Sequence, residues 1–232
     1  MPQFSLVVLE SRKEAADTMA IKFEKPQIDY KPGQYMLYEL PVQDPEGPTR
    51  SFSLASSPTE SFLMLTTKLT GSVFKSKLAQ MKKGDTINAS GPSGRFVLQD
   101  SPKHLFIAGG IGITPFRSMI KYAVDTELQE KITLLYSNKV PEEIAFFDEL
   151  DKWQNQNRFL RVVHTITKPE ESEEQWNGRV GRIDAALIKE HLDAETIVYV
   201  CGPPGMVDAM VAVLKDIGVP EKRIKAERFE GY

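Results

Sequence analysis

Residues 104–120 read HLFIAGGIGITPFRSMI, and the fold turns on them. An apolar run, Leu105-Phe106-Ile107-Ala108, meets Gly109, Gly110 and Gly112, then Thr114-Pro115 and a second apolar stretch. A strand, a glycine turn and a helix in that order can hold a dinucleotide: the glycines let the backbone approach a pyrophosphate, and the helix turns free N–H groups towards it. The usual G-x-G-x-x-G spacing is broken, because Pro115 stands where the third glycine belongs. Pro115 does suit the first turn of a helix, where its missing N–H would be unpaired anyway. Two readings stay open from these residues alone: a nicotinamide cofactor loop, and a strand-to-helix turn without a ligand.

Outward from this stretch, apolar β runs alternate with helical ones. LFIAG leads to PFRSMIKYAV, ITLLYSN to EEIAFFDELDKW, LRVVHTIT to IDAALIKEHL, and IVYVCG to MVDAMVAVLKDIG, with IKAERFEGY last. That alternation predicts a doubly wound parallel sheet, and continuous apolar strands such as IVYV agree, since parallel strands are covered on both faces. The acidic loop 168–174 reads as surface. Towards the N-terminus the grammar differs. FSLVVLES, MAIKFEKP, QYMLYELP, RSFSLASSP, FLMLTTKLT and DTINASGP are short strands separated by Pro and Gly, with one helix over 73–81, where Phe74, Leu78 and Met81 recur at helical spacing. The prediction is an all-β antiparallel barrel or sandwich over 1–99, the barrel preferred, followed by an α/β doubly wound nucleotide-binding domain over 100–232.

Composition narrows the function. The 232 residues are 41% hydrophobic and 26% charged, enough for an ordinary packed core, and the net charge of −3 argues against a nucleic-acid partner. Cys201 is the one cysteine, so neither an internal disulfide nor a Cys₄ iron–sulfur cluster can form within this sequence. His104, His164 and His191 lack metal-ligand spacing, and no metal site is expected. MPQFSLVVLE has no signal-peptide pattern and no window reaches membrane length, so the expectation is a cytoplasmic protein without a membrane segment.

Ligands of an open α/β sheet sit beyond the carboxyl ends of its strands, which singles out 109–115, 136–139 and 201–205. In the second, Ser137 and Lys139, flanking Asn138, could hold a ribose or an adenosine 2′-phosphate; no acid marks NAD there, so coenzyme preference stays open. Glu142 and Glu143 read as charging the first turn of the next helix. Cys201 fits either a small buried residue or the floor of a cleft. On the first half's RSFS strand, Arg50 and Phe52 alternate with Ser51 and Ser53, offering a cation and a ring on one face; a β ladder with a surface arginine is the alternative.

Taken in order, RSFS at 50–53, TTKLTGSVF at 66–74, GPSGRF at 91–96, AGGIGITP at 108–115, YSNK at 136–139, CGPPGM at 201–206 and a terminal ERFEGY resemble the ferredoxin–NADP reductase superfamily of flavoproteins over nearly the whole chain. The resemblance implies FAD, in preference to FMN, and NAD(P)H as cofactors. Arg50 would neutralise the flavin pyrophosphate, Phe52 would lie against the isoalloxazine, and Ser53 would hydrogen-bond flavin N5. Thr66, Thr67 and Lys68 would edge the ring, and Gly71, Ser72, Val73 and Phe74 would turn backbone N–H groups to the phosphates. Many relatives carry Ser or Thr where Phe74 stands, so Ser72 would supply the missing hydroxyl.

In the second half the resemblance implies a G-G-x-G-x-T-P loop for the nicotinamide dinucleotide, built on Gly110, Gly112, Thr114 and Pro115, which makes the proline expected. Cys201, followed by Gly202, Pro203 and Met206, would sit beside the transferring carbon and shape a hydride path with Ser53 and a C-terminal acid. Two C-terminal triplets match, Glu227-Arg228-Phe229 and Glu230-Gly231-Tyr232; the first is preferred, with Tyr232 extending beyond it. The implied activity passes hydride from NAD(P)H to FAD and electrons onward to an external carrier such as ferredoxin or flavodoxin. The alternatives are an NAD(P)H-dependent ferric or flavin reductase, and a non-catalytic subunit of a redox complex.

Overall fold

The computed structural model describes residues 1–230, so the Tyr232 assignment lies outside the described residues. Six strands form the first sheet: β1(Gln3–Ala15), β2(Thr18–Glu24), β3(Tyr35–Glu39), β4(Thr49–Ser53), β5(Phe62–Lys68) and β6(Thr86–Ser93). Their order is β4-β3-β6-β1-β2-β5, antiparallel throughout. Just past β4, Leu54 bridges Leu65, and the Ala55 N–H donates to the Met64 carbonyl at 2.8 Å. These bonds join the sheet's two edges into a barrel, which removes the unpaired edges an open sheet would expose. Alternate residues point inward, among them Leu6 and Val8, Ile21 and Phe23, Met36 and Tyr38. Helix α1(Val73–Ala79) closes the barrel by burying Phe74 and Leu78; Met81 falls in the turn beyond it and is buried too.

The second sheet holds β7(Lys103–Gly109), β8(Lys131–Asn138), β9(Leu160–Ile166), β10(Arg179–Val180), β11(Ile197–Gly202) and β12(Ile224–Arg228). It is parallel, in the order β10-β9-β8-β7-β11-β12. Helices α2(Ile113–Asp125), α3(Phe147–Gln156), α4(Ala185–Lys189) and α5(Pro204–Asp216) connect it. The chain steps outward from β7 to β10, then returns to lay β11 on the other side of β7. The loops after β7 and β11 therefore diverge, and a crevice opens at their carboxyl ends.

The glycines of the opening stretch divide their work. A Cβ on Gly109 would lie 2.1 Å from Met206 Sδ, and one on Gly112 would lie 2.3 Å from the Cys201 carbonyl oxygen, so both let the loop press against β11 and α5. Gly110 has open space around it and a φ of +51°, which a side chain resists for backbone reasons alone. Pro115 falls in the first turn of α2, as expected.

Two local expectations are corrected. EEIAFFDELDKW is not one helix: 141–143 make a single 3₁₀ turn, Phe146 adopts φ 62°, and α3 starts only at Phe147. Glu142 and Glu143 accordingly leave the first helical turn to Asp148 and Glu149. Glu142 instead accepts a bond from Ser172 Oγ, and Glu143 pairs with Lys68. The two-residue strand β10 was not expected at all.

One core runs through both halves, with Ala20, Ala55, Met64 and Phe96 of the barrel packed among Phe106, Phe116 and Met119. Arg117 of α2 is buried at this junction. Its guanidinium binds Glu60 and the Ala55 carbonyl of the barrel and Glu149 of α3, and lies over the rings of Phe146 and Trp153. Beside it, Ser118 Oγ donates to the Ser56 carbonyl at 2.6 Å. The barrel is thus docked on α2 by charge-assisted bonds as well as by apolar contact.

Candidate active site

β4 and β5 deliver their side chains to a cleft of about 940 Å³ at the junction of the two halves. Arg50, Ser51, Phe52 and Ser53 line it from β4, and Thr66 and Thr67 from β5. Gly71, Ser72 and Val73 come from the turn into α1, Ile111 and Thr114 from the glycine loop and α2, and Glu227 and Phe229 from the end of β12. Residues spread over 180 positions of sequence meet here because the barrel edge and the carboxyl end of the parallel sheet face one another. Phe229 is anchored where it is needed: its N–H donates to the Gly202 carbonyl at 2.9 Å.

Two buried polar atoms in this lining have no partner among the described residues. Thr66 Oγ1 and Glu227 Oε2 are both buried without a hydrogen bond. Buried polar groups usually find a partner in protein, water or ligand, so both atoms are open to a bond from whatever fills the cleft. Burial also lifts the Glu227 carboxyl to about 7, so near neutrality it can hold or release a proton. These groups and the Phe52 side chain give the cleft both polar atoms and an apolar face.

A second cleft of about 760 Å³ follows the carboxyl ends of β7, β8 and β11 and meets the first at Thr70 and Ile111. It is lined by Gly109 and Gly110, by Ser137, Asn138 and Lys139, and by Pro203 and Met206. These are the three strand ends that the sequence singled out, brought to one crevice. Lys68 belongs here too rather than at the first cleft, paired with Asp17 and Glu143.

Other predicted residues stand behind the walls. Cys201 is fully buried, and burial pushes its thiol well up, with the Glu227 charge adding to the effect. It can therefore shape the cleft floor by volume, but it is no thiolate. Gly112 and Gly202 lie against β11 and Gly109, and Pro115 is buried in α2. Phe74 belongs to the barrel core, 6.1 Å from the Phe52 ring centre. Ser72 caps α1, its hydroxyl accepting the Lys75 N–H at 3.2 Å.

Arg50 lines the first cleft and is engaged by groups of its own loop. Its Nη2 pairs with Asp44 and Glu46, and its Nη1 donates to the carbonyls of Glu46, Gly47 and Thr49. Asp44 also accepts the Phe74 N–H at 2.9 Å. Sequence reading passed over Asp44 and the junction residue Arg117. An Asp three residues before a Gly in the loop leading to RSFS, and a charge inside the apolar run PFRSMI, were the available signals.

Residues 5–98 match the oxidoreductase FAD-binding domain and residues 106–212 the oxidoreductase NAD-binding domain. The chain is 29% identical over 240 residues to NADH-cytochrome b5 reductase 1 of Aspergillus terreus, covering 95% of this chain and 80% of that one. It is 30% identical over 239 residues to the nitrate reductase [NADPH] of Emericella nidulans, covering 89% of this chain but only 27% of that protein's length. The cytochrome b5 reductase domain of Ulva prolifera nitrate reductase has the same fold, with a TM-score of 0.84 at 22% identity and 97% of each chain covered.

Proposed function

The chain belongs to the ferredoxin reductase-like family of FAD- and NAD-binding oxidoreductases, and from that premise we propose that it takes hydride from NAD(P)H onto its flavin and hands the electrons singly to a separate carrier protein. The observation that carries this reading is the meeting of the two clefts at Thr70 and Ile111. A dinucleotide along the glycine loop and a flavin against β4 would have their reactive ends at that shared wall.

The flavin, when bound, supplies the two-electron to one-electron conversion; the protein supplies position and surroundings. Phe52 offers an apolar face to the ring. Ser53 and Thr66 offer hydroxyls to its polar edge, and Glu227 holds a proton at Oε2 close to neutrality. Gly110, Ser137 and Lys139 line the dinucleotide's path, and Met206 and Pro203 form its apolar side. Phe229 lines the first cleft beside Glu227, and Cys201 fills the core behind that wall.

The acceptor is a one-electron carrier, ferredoxin, flavodoxin or a cytochrome. The Aspergillus relative's name favours the cytochrome. Anaerobic mixing of the flavin-loaded protein with NADH or NADPH tests the first half-reaction: absorbance near 450 nm, about where oxidised flavins absorb, should bleach rapidly with one or both. Reoxidation by added cytochrome b5 or ferredoxin then identifies the acceptor. A loaded protein that neither coenzyme bleaches would reduce the chain to a docking or scaffolding role.

A further inference from the structure

Between β8 and α3 the stretch 139–146 carries part of the second cleft's wall, through Lys139 and Glu143. Its only regular structure is one 3₁₀ turn. It ends on Phe146 with φ 62° and ψ 24°, a left-handed backbone that a bulky residue keeps only where its surroundings hold it there.

The barrel supplies that hold. The Ala16 N–H donates to the Glu142 carbonyl at 2.8 Å, Lys68 pairs with Glu143, and Glu14 Oε1 accepts the Phe146 N–H at 3.1 Å. Arg12 orients the Glu14 carboxylate from the other side, its Nη2 donating to Oε2 at 2.8 Å and its Nε at 3.1 Å. The Glu14 side chain is only 9% exposed, and it lines neither cleft. Removing it strands the N–H of a buried residue, which costs more than the bond itself contributed. Phe146 can relieve that by leaving the left-handed region, and Lys139 and Glu143 then shift with the stretch they belong to.

We propose that Glu14, a residue of the flavin half, is a positioning residue for the nicotinamide coenzyme: through the Phe146 N–H it fixes the 139–146 stretch and with it one wall of the dinucleotide cleft. The inference rests on the hydride reading above and extends it to how the barrel shapes the coenzyme's site. Ser53, Thr66 and Glu227 stand in the other cleft. Loss of Glu14 therefore weakens coenzyme binding and spares both the flavin and the hydride step.

Stopped-flow bleaching of the flavin-loaded protein tests it, over a range of NADH or NADPH concentrations, whichever bleaches the wild type faster. The titration separates an apparent coenzyme dissociation constant from a limiting rate. Glu14→Leu should raise the constant about tenfold and leave the limiting rate and the flavin content within about twofold of wild type. Glu14→Gln keeps a carbonyl oxygen for the Phe146 N–H and should restore the constant to within about threefold of wild type. Arg12→Gln, at an exposed position, leaves the carboxylate less well oriented and should raise the constant about threefold. An unchanged constant in Glu14→Leu would overturn the proposal, and so would a limiting rate or flavin content that falls in step with the constant, for Glu14 would then serve only the fold. A glutamine variant as weak as the leucine one would overturn the route through the Phe146 N–H. If Glu14→Leu does not fold, an unchanged constant in Arg12→Gln overturns the proposal in its place. A flavin-loaded wild type that neither coenzyme bleaches would instead defeat the hydride reading, and this inference with it.

Discussion

Cys201 and Glu227 are register partners on neighbouring parallel strands, β11 and β12, and burial raises the pKa of both. The two differ in what they can do with it. The thiol is sealed in the core and stays protonated at any physiological pH, whereas Glu227 reaches the cleft with an unpartnered oxygen and titrates near neutrality. Of the pair, only the acid can move a proton.

Glu227 therefore makes stability depend on pH. Its carboxyl titrates at about 7 in the fold against an ordinary 4.5. As pH rises, the unfolded chain loses this proton first, so the fold's advantage is complete below about 4.5 and gone above about 7. Glu227→Gln has no proton to lose. Relative to that variant, the wild type should become less stable by about 1–3 kcal/mol between pH 5 and pH 8, read from urea midpoints at the two pH values. A difference between the two proteins that stays constant with pH would remove Glu227 as the titrating group.

Arg117 holds the barrel to α2 and α3. Replacing it with methionine leaves Glu60 and Glu149 without their shared cation, and truncating one partner of a buried pair costs about 3–5 kcal/mol. Arg117→Lys should recover little of that, because an ammonium cannot make the two-pronged bonds to both carboxylates or stack its plane on the rings of Phe146 and Trp153. Chemical denaturation reads the result. A lysine variant within about 1 kcal/mol of wild type would mean that charge alone, without the fork geometry, suffices at the junction.

The glycine loop separates two effects that sequence alone merges. Gly110→Ala meets open space and should cost about 1–2 kcal/mol for its left-handed backbone. Gly112→Ala drives a Cβ into the Cys201 carbonyl, 2.3 Å away, and no flexible side chain can yield. The loop or β11 must move, and the loss should exceed about 3 kcal/mol. Equal thermal shifts for the two variants would show that the contact with β11 relaxes freely.

Much of this was legible before the fold was seen. Alternation in FSLVVLES and MAIKFEKP marked barrel strands because one face of each is buried and the other wet, and continuous runs such as IVYV marked strands covered on both faces. The three strand ends 109–115, 136–139 and 201–205 came together because a parallel sheet sends all its carboxyl ends to one edge. What stayed hidden was set by distant contacts. Ile144, Ala145 and Phe146 are buried like helix residues, but Phe146 turns left-handed to lie on Arg117, and local spacing cannot report that. β10 is two residues long, below what any periodicity can register. Asp44 becomes a partner of both Arg50 and the Phe74 amide only through the approach of α1 to β4.

Ser53 offers the sharpest test of the proposed hydride path. It ends β4, pairs in register with Tyr35 on β3, is 4% exposed, and lines the first cleft. Ser53→Ala removes one hydroxyl and leaves barrel packing intact, so its cost in stability should stay near 1 kcal/mol. If the hydroxyl serves the polar edge of the ring mainly as hydride arrives, its loss falls on the rate and spares binding. Flavin reduction by NAD(P)H in stopped flow should slow at least about tenfold, a barrier increase of roughly 1.4 kcal/mol, while the flavin dissociation constant stays within about threefold. A variant that reduces at the wild-type rate, or that loses binding and rate in equal measure, would leave Ser53 as a wall of the cleft and move the search for the hydride-side donor to Thr66 and Glu227.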